Sequence, residues 1–169
     1  MASTLTVDNI VGATSSSSIK IPGHVVQIAE PSLPWASRWS STSSSFVQTP
    51  HEVSITPKYS DSKIKISTTF SGGFAADGEY MRLKLYRRVG GTLTGIGEAQ
   101  ATGGNTSFGF GGDWFTGAFD YIDTPNTTSP ITYELWACGY YGGTLMYLGW
   151  STSFTGENGV YMSAMEIAQ

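Results

Sequence analysis

The sequence predicts an all-β protein: an antiparallel β-sandwich or jelly roll of about eight strands, with a short N-terminal β-strand attachment segment. Charged residues make up only 13% of the 169 residues, whereas aromatic residues also reach 13% and Gly alone contributes 21 residues. This composition is typical of strands and turns. Helix formers never accumulate into an amphipathic run. Strand-like runs alternate with Gly- and Pro-containing turns, which is the pattern of a sandwich.

The first 29 residues contain only short strand-like pieces, and we predict that they form an attachment and oligomerisation segment. The pieces at 4–7, 18–21 and 24–28 are separated by a serine run and by a Pro-Gly turn. Their apolar residues are too few to bury a core, so they must pack on copies of the chain or on another protein. The residues expected at this contact are Leu5, Val7, Ile10, Ile19, Ile21, Val25 and Val26.

Residues 30–50 are predicted to be a Ser- and Pro-rich linker or irregular loop. Seven of the nine residues from 37 to 45 are Ser or Thr, which is typical of connecting segments. Trp35 and Trp39 are unusual there, because a free linker rarely carries tryptophan. Two alternatives follow for these rings: burial on the chain's own domain, or an interface with a neighbouring subunit.

Residues 51–169 are predicted to form the β-sandwich head, because the strand-like runs become longer and more regular. In the run at 63–70, apolar residues alternate with Lys, Ser and Thr. Asp77-Gly78 has the composition of a hairpin turn, so this run and the one at 80–89 are expected to pair as adjacent antiparallel strands. The other predicted strands lie near 53–56, 93–98, 107–110, 114–122, 131–138, 144–150 and 160–167.

The titratable residues do not form a recognisable catalytic or metal site, so we expect no enzymatic activity, no cofactor and no metal. His24 and His51 are the two histidines, Cys138 is the one cysteine, and they are far apart in the sequence. A serine triad or a zinc site would need such residues at defined spacings. Carboxylates are numerous enough for a glycosidase pair, but the sequence selects none of them. An enzyme that degrades polysaccharide is therefore the last of the functions considered.

Charge and hydropathy also argue against nucleic acid and membrane partners. The formal net charge is −4, and the basic residues are scattered except for Lys84, Arg87 and Arg88, which is not the pattern of a polynucleotide-binding surface. The start of the chain has no signal-peptide pattern, and no apolar run approaches the length of a membrane span. We therefore expect a soluble protein that is made in a cytoplasm, with no membrane insertion.

A group of aromatic residues beside glycine-rich turns is the candidate ligand-binding feature. Aromatic rings in loops offer flat faces on which sugar rings stack. The alternative is that the rings fill the core, which is the more common role of large side chains in β proteins. The three residues kept as candidates for binding a cell-surface glycan are Trp114, Tyr140 and Tyr141.

Six short segments carry a resemblance to a known family. The opening Ser-Thr-Leu-Thr-Val-Asp-Asn-Ile-Val-Gly at 3–12 is followed by Ile-Lys-Ile-Pro-Gly-His-Val-Val-Gln at 19–27, and Met-Glu-Ile-Ala lies at 165–168. The remaining segments are 54–57, 62–66 and 84–87. Together they resemble tail-fibre and related virion structural proteins of marine bacteriophages and cyanophages. None of the segments contains a catalytic motif.

The resemblance implies a virion protein, expected to be a homotrimer with an N-terminal attachment part and a β-sandwich head. In the leading interpretation the chain is a tail-fibre or receptor-binding subunit, in which residues 1–29 contact other virion proteins and residues 51–169 face the host. The alternative is a capsid decoration protein, in which a similar trimer braces the capsid lattice. A segment that cannot fold alone, joined to a compact domain, is compatible with both.

Overall fold

The computed structural model confirms the all-β fold class: two antiparallel sheets pack face to face as a sandwich, and the described residues contain no helix. It describes residues 20–31, 38–75, 80–96, 110–111, 114–139, 143–149 and 159–169. The strands in chain order are β1 Val25–Ala29, β2 Trp39–Ser41, β3 Val47–Ile55, β4 Lys63–Phe74, β5 Tyr80–Val89, β6 Thr92–Ile96, β7 Phe110–Gly111, β8 Trp114–Asp123, β9 Ile131–Gly139, β10 Met146–Leu148 and β11 Tyr161–Ile167.

Sheet A, with six strands in the described part of the chain, is organised around β4. One side of β4 pairs with β11 and then with β10, and these two strands pair in turn with β1 and β2. The opposite side of β4 pairs with β8 over nearly its whole length. Along the part of β4 that pairs with β11, the strand order across sheet A is β1-β11-β4-β8. Strands β1 and β8 are therefore the edge strands there.

Sheet B has the order β3-β9-β5-β6 among the described residues, with β7 also paired to β5. Strands β5 and β6 are joined by Gly90 and Gly91, whose φ angles of 53° and 86° are both positive. A two-residue hairpin turn of this hand matches the twist of the strands and strongly favours glycine. Pro50 lies at an irregularity in β3, and β3 is an edge strand, where a residue without an N–H group is tolerated.

The core between the sheets is built by alternation. On β4 the side chains of Ile64 and Ile66 are fully buried, and on β5 those of Met81 and Leu83 are at most 1% exposed. The residues between them face outward, because successive side chains of a strand point to opposite sides. Trp39 of β2 packs against the core. Of the two alternatives for this ring, burial on the chain's own domain is therefore the one observed. Strand β1 also belongs to sheet A rather than to a separate layer.

The predicted pairing of the strands around Asp77-Gly78 is wrong. Strand β4 lies in sheet A and β5 lies in sheet B, so the chain crosses from one sheet to the other between them. Each of the two strands has one apolar face, and placing them in opposite sheets lets these faces bury one another. A hairpin would have put both apolar faces on the same side, where other strands would have had to cover them.

An ion pair and a tyrosine join the sheets at one end of the sandwich. The guanidinium of Arg87 on β5 donates to both carboxylate oxygens of Asp123 on β8, each at 2.9 Å. The hydroxyl of Tyr133 on β9 donates to the same carboxylate at 2.9 Å. Asp123 and Tyr133 are both buried. This network compensates for the burial of the charge by supplying several hydrogen bonds.

His51 is a buried histidine whose environment opposes protonation. It lies on β3 with 6% of its surface exposed, and no hydrogen-bond partner for its Nε2 atom is found in the described part of the chain. Burial lowers the pKa of His51 to about 4 from an ordinary value of 6.5. Since the unfolded chain takes up this proton at higher pH than the folded one, folding stability falls as the pH drops from 6.5 towards 4.

We expect this histidine to cause acid sensitivity. Between pH 7 and pH 5 the free energy of unfolding should fall by about 2 kcal/mol through His51 alone, at about 1.4 kcal/mol for each unit below its unfolded pKa. Urea unfolding at the two pH values measures this loss, and H51L should remove it. The matched control is H24L, because His24 is exposed. Equal pH dependence in H51L and H24L would contradict the assignment.

Candidate assembly surface

The outer face of sheet A carries an apolar row that crosses four strands. The register places Ile28 of β1 opposite Met165 of β11, Met165 opposite Lys65 of β4, and Lys65 opposite Ile122 of β8. The next row contains Val25 and Ile167. Met165 and Ile167 point away from the core because their neighbours Ala164, Glu166 and Ala168 are buried, and the other residues of the rows share their face through the register. We call Val25, Ile28, Ile122, Met165 and Ile167 the assembly surface.

The exposure of this surface is unusual for an aliphatic cluster. Val25, Ile28 and Ile122 expose 50%, 59% and 55% of their surface, and they are among the large apolar residues that the structure leaves in water. Met165 and Ile167 between them are partly buried. Single exposed apolar residues are common, but a contiguous row marks a surface that contacts another molecule.

A β-bulge in β1 creates this arrangement. Val25 lies opposite Ile167 and Gln27 lies opposite Glu166, so β1 advances two residues while β11 advances one. Without the bulge Val25 and Gln27 would share a face, because side chains alternate with a period of two. With it, Val25 and Ile28 both face outward, and Gln27 turns inward to Glu166. The extra residue is Val26, which is half-buried.

The carboxylate of Glu166 holds β1 in place from inside the sandwich. Glu166 is fully buried. It accepts hydrogen bonds from Gln27 Nε2 at 2.7 Å, from Ser62 Oγ at 2.8 Å and from the backbone N–H groups of Lys58 and Tyr59 at 2.8 and 3.1 Å. Burial by itself raises the pKa of Glu166, but these hydrogen bonds outweigh it and hold the pKa below its ordinary value.

A charged residue lies within the row, between Met165 and Ile122. Lys65 within the row forms an ion pair with Asp120 of β8 at 2.9 Å. Hydrogen bonds from Ser67 and Lys65 lower the pKa of Asp120. The long aliphatic stem of a lysine continues an apolar surface while its ammonium group stays in water.

The residues predicted for attachment differ in their exposure, and four of them lie outside the described part of the chain. Ile21 and Val25 are exposed, Ile21 at 42%, and Val26 is half-buried in the bulge. Leu5, Val7, Ile10 and Ile19 lie outside the described residues. Sequence reasoning missed Ile28, Ile122, Met165 and Ile167 as parts of one surface. The alternation of β11 is visible in the sequence, but nothing there shows that β1 and β8 lie in the same sheet.

The residues predicted for glycan binding cannot be placed as a group. Trp114 begins β8, where its backbone pairs with Gly73. Tyr140 and Tyr141 lie outside the described residues. Within the part of the chain that the structure describes, no three His, Cys, Asp or Glu side chains form a group able to hold a metal ion, and no helix is long and apolar enough to cross a membrane.

Comparisons with known proteins give similarities at low identity. No protein-family model and no curated protein matches the sequence. Among solved structures, a mutant VP2 protein of infectious bursal disease virus in derived T=1 particles aligns with 99% of this chain at 12% identity and a TM-score of 0.44. A structure of the Gx strain of the same virus aligns with 99% of it at 11% identity and a TM-score of 0.39. This chain spans 40% and 42% of those two chains.

Proposed function

We propose that this protein is a structural subunit of a virus particle, a homotrimeric tail-fibre protein that assembles through the outer face of sheet A. The observation that carries the assembly part is the contiguous row of Ile28, Met165, Lys65 and Ile122, with its aliphatic ends in water. Covering such a row removes apolar surface from water, which stabilises association by about 1–2 kcal/mol for each well-covered aliphatic side chain. The proposal assigns no catalysis to the chain.

The occupant of this surface is a second copy of the chain. Residues 1–19 precede the described part, and the chain enters the fold through the exposed Ile21, four residues before Val25 of the assembly surface. Contact between copies at this surface therefore brings their leading segments together. Those segments are rich in serine and have few apolar residues, and we expect them to bury these residues by packing against one another.

The virion part of the proposal is supported by the sequence resemblance. The similar segments include 19–27 and 165–168, which contain parts of β1 and β11, the two strands that carry most of the assembly surface. Three of the six segments, 19–27, 62–66 and 165–168, contain residues of the row or of the assembly surface, whereas 54–57 and 84–87 lie on or next to strands of sheet B.

Substitution of Ile28 tests the assembly surface. We expect the wild-type protein to form trimers at micromolar concentration, and I28E to raise the dissociation constant at least about tenfold, because a charge would enter an apolar contact. Light scattering coupled to size-exclusion chromatography measures the mass. The control is T128E, which places the same charge at an exposed position outside both sheets. A wild-type monomer, or equal masses for I28E and the wild type, would refute the assembly proposal.

Localisation on the particle distinguishes the two virion roles. Immunogold labelling of intact particles should place a tail-fibre subunit at the tail in few copies. Label spread over the capsid in many copies would instead identify a decoration protein and overturn the tail-fibre assignment. Absence from purified particles would refute the virion role itself.

A further inference from the structure

The outer face of sheet B carries aromatic and cationic side chains where a water-facing strand usually carries small polar ones. Arg82, Lys84 and Tyr86 alternate along β5 with core residues, and Trp136 lies beside Lys84 on β9. Phe46 lies next to them, just before β3. All five are partly exposed. We call this group the aromatic ladder.

The ladder is a continuous stack. The ring centroids of Tyr86 and Trp136 are 4.8 Å apart at an interplanar angle of 44°. Lys84 Nζ lies 5.2 Å from the centroid of Tyr86 and 5.9 Å from that of Phe46. The guanidinium carbon of Arg82 lies 5.4 Å from the centroid of Phe46. These separations fit aromatic and cation–π contacts.

Neighbouring groups fix the ladder in position. Trp136 Nε1 donates to the carboxylate of Glu134 at 3.0 Å, and the guanidinium of Arg88 donates to the same buried carboxylate. Arg82 Nη2 donates to the carbonyl oxygen of Ser44 at 3.1 Å. Side chains held in this way lose little conformational entropy when a ligand binds. The surface is therefore preorganised.

Among the described residues, the strand neighbours of the two stacked rings leave the ring edges uncovered. The partner of Tyr86 on β6 is Gly95, which has no side chain to cover the ring. The partner of Trp136 on β3 is Gln48, which is exposed. The side-chain amide of Gln48 can donate and accept hydrogen bonds, and it therefore offers both to the hydroxyl groups of a sugar.

We infer that the aromatic ladder binds an anionic polysaccharide, with a sugar ring on Tyr86 and Trp136 and an acidic substituent beside Lys84. A sugar ring presents C–H groups to an aromatic face and hydroxyls at its edge, which fits stacked rings flanked by an amide. The cations supply the charge complementarity. The ladder lies on the sheet that the assembly surface does not use, so this site goes beyond the proposed assembly and does not depend on it.

A polynucleotide is the less favoured ligand. Base stacking would use the same rings, but affinity for nucleic acid comes largely from many phosphate contacts. On this face Arg88 is paired with Glu134, and Glu52 lies directly opposite Glu134 on β3. The cationic side chains of the ladder itself are Arg82 and Lys84, which is fewer than the row of cations that tracks the backbone in a single-strand-binding groove.

Calorimetric titration of the full chain with an oligomannuronate and with a neutral oligomannose of the same length tests the inference. We expect the mannuronate to bind, W136A to weaken binding about tenfold and W136F to retain most of it, because stacking needs a ring. K84Q should reduce the preference for the charged oligosaccharide. K58Q is the control, since Lys58 is exposed and away from the ladder.

Several results would overturn the inference. They are no binding of either oligosaccharide by the wild type, unchanged affinity in both W136A and K84Q, or tighter binding of single-stranded oligothymidylate than of oligomannuronate. If W136A changes the mass of the protein oligomer in solution but leaves saccharide binding unchanged, the ladder is a subunit contact and not a ligand site. Circular dichroism of each variant verifies folding, and K84Q and W136F remain informative if W136A does not fold. I28E should bind saccharide normally, which separates this test from that of assembly.

Discussion

Replacing Glu166 by alanine is expected to lower the free energy of unfolding by about 3–5 kcal/mol, the cost of disrupting a buried charged network. The carboxylate accepts hydrogen bonds from Gln27, Ser62, Lys58 and Tyr59. Removing it leaves these buried or partly buried donors without their acceptor. Urea unfolding at pH 7 measures the loss.

Two further variants test whether the loss of stability in E166A comes from the buried carboxylate. E166Q keeps the volume and one acceptor oxygen, so its loss should be smaller, about 1–3 kcal/mol. E30A is the control, because Glu30 follows β1 and is exposed, and it should change stability by less than about 1 kcal/mol. Similar losses in E166A and E30A would show that the buried carboxylate does not hold the structure together.

The effect of Glu166 also depends on pH, with a defined sign. Its folded pKa is below the ordinary value of 4.5, so its stabilisation is fully present above pH 4.5 and is lost as the pH falls through the folded pKa. The wild type and E166Q should therefore approach each other in stability below pH 4. Hydrogen exchange should show the first loss of protection in β1, because Gln27 connects this strand to the carboxylate.

Replacing Asp123 by alanine is the second change with a large expected effect, also about 3–5 kcal/mol, because it leaves the buried end of Arg87 without its counter-charge. It also removes the acceptor for the Tyr133 hydroxyl. Thermal or urea unfolding at pH 7 measures the loss. The large loss is expected because the carboxylate is buried: Asp123 is only 6% exposed.

The same strand provides the matched control. Asp120 also lies on β8 and forms an ion pair with Lys65, but its side chain is 55% exposed. D120A should therefore lower stability by less than about 1 kcal/mol, as is usual for surface ion pairs. If D123A and D120A destabilise equally, the network of Arg87, Asp123 and Tyr133 contributes no more than a surface pair. The double variant R87M/D123L should recover part of the loss by replacing the charges with apolar groups.

Much of the strand content could be predicted from the sequence. The run at 63–70 alternates, and the structure extends it as β4 from Lys63 to Phe74. The run at 131–138 matches β9 closely. Alternation, β-favouring residues and turn glycines are local signals, and a strand in a sandwich needs little more to be recognised. Strand β2 escaped prediction because three residues within a serine-rich stretch carry no periodic signal.

The candidate site was predicted only in part. Few apolar residues in the first 29 positions indicated an attachment surface, and Ile21 and Val25 are exposed as that role requires. The contributions of Met165 and Ile122 depend on pairings with Ile28 and Lys65 that join residues between 57 and 137 positions apart in the sequence. A local pattern contains no such information.

That this chain forms strands with one apolar face each is encoded locally, because backbone propensity and the two-residue period are properties of neighbouring residues. Which strands share a sheet, and which face each side chain occupies, follows from the assembled fold. The separation of β4 and β5 into opposite sheets and the bulge that turns Gln27 inward both depend on partners distant in sequence. The physical reason is that strands are stabilised by pairing and burial, and both are supplied by the rest of the fold.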